Sequence, residues 1–260
     1  MEMLHAFPDR ELLGEDVIWC GDPATGMLSS HRVLSTATHR GDGPFGPPTG
    51  RRLRFRTISD CFAQGGQICD AWRVCDSGAI LRQIGQDPQE WAAARIKGGA
   101  AEAPLTPARD RGGPYDGQGN DEPTGARRAD LLARLMEAEF SVVPAEYDRA
   151  CALSYPGGVE TEGQAAADRF WLPLRAAFPA AVFAVHHSIG REEPLMPPRA
   201  AVRWALTGPH EGWGPFGAPS GAQVHVMGVT HAEFGPRGLR REWTLYDEAA
   251  VWIQILNGRP

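Results

Sequence analysis

Between Arg52 and Phe62 the chain alternates, with Leu53, Phe55 and Thr57 set against Arg54 and Arg56, which is the period of a strand with one covered face. Gln67 to Val74 reads as the next strand. Upstream lie two more, Asp16 to Cys20 and a segment carrying Arg32 and Thr36, and a short apolar run from Ala79 to Ile84 closes the series. The same order returns further along the chain. Val182 to Val185, a strand with Arg203 and Thr207, Gln223 to Phe234 and Leu239 to Tyr246 follow one another, and an apolar run from Ala249 to Leu256 ends the set. Two antiparallel meanders are expected.

The return is also literal. His39 to Gly50 reads His-Arg-Gly-Asp-Gly-Pro-Phe-Gly-Pro-Pro-Thr-Gly, and His210 to Gly221 reads His-Glu-Gly-Trp-Gly-Pro-Phe-Gly-Ala-Pro-Ser-Gly. Phe7-Pro8 recurs as Phe178-Pro179, Trp72 as Trp243, Asp76 as Asp247 and Gln83 as Gln254, all at one offset of 171 positions (210 − 39). Landmarks of several chemical kinds that keep register over most of a domain mean a tandem duplication.

The front ends differ. Ahead of Phe178, Asp130 to Phe140 sets Leu131, Leu132, Leu135 and Met136 on one helical stripe, and Thr161-Glu162-Gly163-Gln164 has the form of a capping box opening a helix through Arg175. The counterpart of Asp130 in the first copy falls upstream of Met1, so the amino-terminal helices are expected to be missing from the first copy, either because this start is internal to a longer reading frame or because the domain lacks them. Gln89 to Lys97 reads as a short helix. Gly98 to Arg128 is rich in Gly, Pro, Ala and Asp, too poor in large apolar residues for a core, and is expected to be a linker, mobile or lying across a surface. The expected division is residues 1–97, linker 98–128, and residues 129–260.

Composition narrows the class. The 260 residues are 42% hydrophobic and 22% charged, as in ordinary globular proteins. No apolar stretch suits a membrane span, and Met1-Glu2-Met3-Leu4-His5 has no secretory pattern, so a cytoplasmic location is expected. Five cysteines without a Cys-x-x-Cys pair suggest neither a disulfide framework nor a zinc ribbon. A net charge of −6 with dispersed arginines speaks against a nucleic-acid surface. His186-His187 cannot chelate together from one strand, because adjacent side chains point to opposite faces, and no metal or cofactor is assigned. The glycine loop lacks the Lys-Ser/Thr ending of a phosphate cradle.

Phe7-Pro8-Asp9, the His39 to Gly50 loop with Arg51, Ile68-Cys69-Asp70-Ala71-Trp72, Asp76 and Gln83-Ile84-Gly85, together with their counterparts in the second copy, resemble the SnoaL-like polyketide cyclase family. The resemblance covers nearly all of both copies. It implies the cone-shaped α+β fold of nuclear transport factor 2 and ketosteroid isomerase, here as two tandem cones, each a curved antiparallel sheet with covering helices. Proteins of this fold often pair through their sheets, so an intramolecular pseudo-dimer is expected, with a homo-oligomer also open. For activity it implies cofactor-free acid-base cyclisation of a hydrophobic carbonyl compound, which needs a base beside a carbonyl and a donor for the enolate oxygen.

Each candidate residue has two roles open to it. His39 and His210 are either polar groups at a cone mouth or histidines bonded within their own glycine-rich loops. Asp60 and its counterpart His231 lie where the family often carries an acid-base residue; Asp60 is otherwise an exposed carboxylate at a strand end, and His231, among apolar neighbours, is the stronger candidate. Glu242 stands beside Trp243. Asp76 and Asp247, recurring in both copies, suggest a structural turn. Trp72, Trp204, Trp213, Met227 and Trp243 are candidate walls for a substrate. The second copy has more aromatic wall and its own helices, so a closed pocket is expected there. Besides a cyclase, a binding or structural protein without turnover, or an epoxide hydrolase or isomerase with an Asp-Arg-Asp set inside one cone, fits these residues.

Overall fold

The computed structural model describes residues 2–101, 103–113, 117 and 119–258; parts of the predicted linker at 102, 114–116 and 118 lie outside the described residues. After a short helix α1 (Glu2–Ala6), four strands follow: β1 (Glu11–Asp22), β2 (Gly26–Thr38), β3 (Arg52–Gln64) and β4 (Gln67–Cys75). They pair in sequence order, all antiparallel. Helices α2 (Ser77–Ile84) and α3 (Pro88–Lys97) complete the first copy. The predicted helix over Gln89 to Lys97 is present.

The second copy has more structure in front. Helices α4 (Glu122–Met136) and α5 (Val142–Glu146) lead into β5 (Tyr147–Tyr155), β6 (Val159–Glu162) and α6 (Gln164–Ala177). Strands β7 (Val182–Arg191), β8 (Arg199–Pro209), β9 (Gln223–Gly235) and β10 (Gly238–Tyr246) then repeat the meander, and α7 (Glu248–Asn257) ends it. The six-stranded order is β6-β5-β10-β9-β8-β7, with β10 and β5 parallel. The fold is thus α+β; among the described residues the first sheet has no counterpart of α4 or α5, and α1 stands at the offset of the last turn of α6.

Two elements differ from the sequence reading. Thr161 and Glu162 do not cap α6: they pair with Leu153 and Ala152 as the end of β6, and Gly163 at φ +83° turns the chain into the helix without a side-chain cap. Helix α4 opens at Glu122, inside the Gly98–Arg128 stretch, because Asp121 accepts from the Thr124 amide and Pro123 suits a first turn.

The repeat is physical as well as literal. Asp76 caps α2 through the Ala79 amide, and Asp247 caps α7 through Ala250. Gln83 bonds both backbone groups of Arg54 on β3, and Gln254 does the same to His225 on β9. The ladder of β1 on β2 slips between Gly14 and Asp16, and that of β7 on β8 slips between Val185 and His187, at the same offset.

Alternation assigns each face of β3. Leu53 and Phe55 turn toward Ile80 and Ile84 of α2, while Ile58 turns the other way and packs with Val74 against Val229 and Leu245 of the second copy. Ile18, Leu28 and Phe62 likewise meet Ile189 and Ala201. The two sheets therefore meet through the faces that point away from their own helices. The largest core lies on the other side of the second sheet, around Trp171, Trp204, Phe178 and Phe216. No helix among the described residues is long and apolar enough to cross a membrane.

Candidate functional site

Three polar clusters and one cleft hold the candidate chemistry. The first cluster lies in the joint between the sheets. Arg32 on β2 stacks on Trp243 of the other copy at 3.5 Å, and its counterpart Arg203 on β8 stacks on Trp72 at 4.3 Å. Arg32 also donates to His231 Nδ1 (3.2 Å), which leaves the imidazole proton on Nε2. That Nε2–H faces Ser30 Oγ at 2.7 Å, and the Ser30 hydroxyl donates to Asp60 Oδ1 at 2.5 Å. Asp60 is 2% exposed, so it is not the surface carboxylate that its strand-end position allowed. Burial pushes its pKa up to about 6 against the pull of Ser30 and Arg203. Burial, then the cationic Arg32, holds His231 well below the usual histidine range. A serine whose hydroxyl points at a carboxylate and whose histidine already carries the facing proton is no activated nucleophile.

The linker supplies the second cluster. Asp110, 2% exposed, accepts from Arg203 Nη1 at 2.6 Å and His225 Nε2 at 3.0 Å, and His186 Nε2 lies within ion-pair distance at 3.4 Å. Thr207 sets the His225 tautomer from the other side, at 2.7 Å from Nδ1. Burial works against the Asp110 charge, but His186, His225 and Arg203 outweigh it and hold the carboxyl well below its usual range. His187 turns instead to the Gly117 carbonyl at 2.7 Å, as adjacent strand residues must. The linker is laid down at further points, for Gly119 bridges to Gly190 and Asn120 pairs with Glu192 in both directions.

Glu242 heads the third cluster, inside the second cone. Tyr147 donates to its Oε2 at 2.6 Å, Thr244 to Oε1 at 2.8 Å, and Arg128 Nη2 lies 3.2 Å from Oε1. Thr244 also meets Thr230, to which Trp204 Nε1 donates at 3.1 Å. Both charged partners are fully buried. Burial disfavours the Arg128 charge but Glu242 outweighs it, while burial and then Glu242 raise Tyr147 well above the usual phenol range. This set is one carboxylate with an arginine and a tyrosine, not an Asp-Arg-Asp arrangement. Around Glu242 the described residues Trp171, Trp204 and Tyr155 belong to the packed core.

His39 and His210 bond within their own loops, to Thr49 at 3.2 Å and Ser220 at 3.1 Å, and each rests against a phenylalanine, Phe7 or Phe178. The structure does not bring His210, His231 and Glu242 together. Of the predicted walls, Trp204 is core, Trp213 is 72% exposed, and Trp72, Met227 and Trp243 lie at the joint. Asp110, Arg128, Tyr147, Ser30 and the Arg32/Arg203 pair were not singled out as site residues. Only the arginine pair had a signal in the sequence, its recurrence at the common offset. Among the described residues no three His, Cys, Asp or Glu side chains form a metal-binding group.

Between the copies a cleft of about 560 Å³ opens along β4. Trp72 and Arg73 form one side, Trp91 and Arg95 of α3 the next, Met227, His225 and Ile253 the wall from the second copy, and Leu105 and Arg109 of the linker the last. A smaller cleft of about 350 Å³ lies by Arg56, Asp76, Tyr155 and Trp243. Neither cleft is lined by Glu242, His210 or His231.

No family model and no curated protein matches the chain. Solved structures do. A SnoaL-like polyketide cyclase, so assigned, from Jannaschia sp. CCS1 matches at 21% identity, covering 51% of this chain and 94% of its own, with a TM-score of 0.43. A polyketide cyclase, so assigned, from Acidithiobacillus ferrooxidans matches at 20% identity, over 52% and 96%, with a TM-score of 0.43. An NTF2-like protein of unknown function from Exiguobacterium sp. 255-15 matches at 14% identity, over 46% and 98%, with a TM-score of 0.36. The likeness concerns the fold alone.

Proposed function

We propose that this chain is a small-molecule-binding protein in which the two copies act as an intramolecular pseudo-dimer and the ligand occupies the cleft between them. One observation carries the reading. The carboxylate placed for cone chemistry, Glu242, is sealed and neutralised by Arg128, whereas the cleft between the copies is open and walled by Trp72, Trp91 and Met227. Its volume falls in the range of small-molecule sites, and domain interfaces are where such sites concentrate. Acid-base cyclisation would require a substrate carbonyl to reach a free base, and Glu242, fully buried beside Arg128, offers no access.

The linker belongs to the site. Leu105 and Arg109 line the cleft, and Asp110, the next residue, is locked onto both β8 and β9 through Arg203 and His225. The experiment is an equilibrium titration with naphthalene derivatives, read by tryptophan fluorescence, on the wild type and on Ala71→Trp. Ala71 is exposed on β4 and lines the cleft, so the larger ring fills it without disturbing the core. Saturable binding that Ala71→Trp abolishes supports the reading, and binding that survives the substitution contradicts it.

A further inference from the structure

The charge on the cleft wall is unusual for this protein. The chain carries a net charge of −6, yet three arginines from three separate elements line one cavity: Arg73 from β4, Arg95 from α3 and Arg109 from the linker. Among the described residues none of the three has a carboxylate within ion-pair distance, although Arg32, Arg82, Arg128, Arg199 and Arg203 all do. Arg95 is oriented by its own helix, its guanidinium lying 5.7 Å from the Trp91 ring.

The other ionisable groups on the wall are already engaged. Asp247 accepts from the Ser77 hydroxyl and the Ala250 amide as the cap of α7, and burial raises its pKa. Asp70 accepts from the Ala71 amide, and His225 is bound to Asp110 and Thr207. Among the described residues the cleft therefore presents three guanidinium groups outside any ion pair, against the one exposed carboxylate of Asp70, beside apolar surface from Trp72, Trp91, Phe45, Met227 and Leu105. A guanidinium presents a planar fork of donors matched to a carboxylate and keeps its charge at every physiological pH.

We infer that the ligand of this cleft is an anion with a flat apolar body, an aromatic carboxylate being the simplest member of the class. The inference rests on the binding reading above and adds the ligand's charge. Trp72 and Trp91 take the flat body, and Arg73, Arg95 and Arg109 take the anionic group.

The test compares naphthoate with naphthamide, which share a body and differ in charge, by calorimetric titration of the full chain. Naphthoate is expected to bind at least about tenfold more tightly, a difference of about 1.4 kcal/mol. The preference should weaken with added salt and disappear in the triple variant Arg73→Gln, Arg95→Gln, Arg109→Gln. Circular dichroism and the midpoint of urea unfolding check that this variant stays folded, as is expected of side chains that are exposed or half-buried. Equal binding of the two compounds overturns the anion inference while leaving the cleft reading intact. Binding of neither overturns both, and a preference for naphthoate that the triple variant keeps places the anion elsewhere and overturns the inference.

Discussion

The guanidinium of Arg32 lies 3.5 Å from the ring centroid of Trp243, across the joint between the two copies. The counterpart pair, Arg203 on Trp72, repeats the contact in the opposite direction at 4.3 Å. Each copy thus lends an arginine to the other's tryptophan, and the charges that surround the two arginines differ. Arg32 is neutralised from its own sheet by Glu15, which it shares with Arg56. Arg203 is neutralised by Asp110, from the linker.

That difference sets an order of stabilities. Arg203→Ala strips Asp110 of its closest cation and leaves a buried carboxylate, a loss of about 3 to 5 kcal/mol in urea unfolding. Arg32→Ala leaves Glu15 with Arg56 and should cost less. Equal losses would show that Asp110 does not depend on Arg203.

Asp60→Asn should stabilise the protein at neutral pH. The carboxyl has a folded pKa of about 6, above its ordinary value, so its contribution is present below about pH 4 and is lost as pH rises through 6. Asparagine keeps an acceptor for Ser30 and carries no charge to bury. The expected gain is about 2 kcal/mol at pH 7.5, shrinking to nothing near pH 4, measured by urea unfolding across that range. A variant less stable than wild type at pH 7.5 would contradict it.

Asp110 should behave in the opposite sense. Its folded pKa lies below the unfolded value, so its contribution is present above about pH 4 and is lost as pH falls through the folded pKa. Asp110→Asn should therefore be clearly less stable than wild type at pH 7, with the gap closing under acid. The same variant should loosen the linker, measured as faster amide exchange over residues 103–110. Unchanged exchange there would mean that Asp110 does not anchor the linker.

Glu242 separates structure from chemistry. Glu242→Ala leaves Arg128 buried without a counter-charge and should cost about 3 to 5 kcal/mol, with Glu242→Gln milder. Naphthoate affinity of the folded Glu242→Gln protein should match wild type, since no wall of the cleft includes that residue. A loss of affinity without a loss of fold would point to a ligand inside the cone.

The fold was largely legible because its signals are local or repeated. Alternation in β3, the Asp76 and Asp247 caps and the constant offset each stand in the sequence, and the structure renders them as matching bonds. Thr161 and Glu162 misled because a capping-box pattern says nothing of β5, whose ladder claims their backbone first. The site was harder to see. Asp110 sits in a stretch of low-complexity composition, and its partners His186, Arg203 and His225 come from strands far along the chain, so nothing near it marks it as buried. Tyr147 and Arg128 were hidden in the same way from Glu242. His39 and His210 recur because the loop recurs: each is buried and bonds a hydroxyl of its own loop.

The most direct measurement is a crystal structure of the protein soaked with naphthoate. The ring is expected against Trp72 and Trp91, between β4, α3 and the linker, with its carboxylate toward Arg73, Arg95 and Arg109. Density for the compound beside Glu242 in the second cone, with that cleft empty, would contradict the proposal.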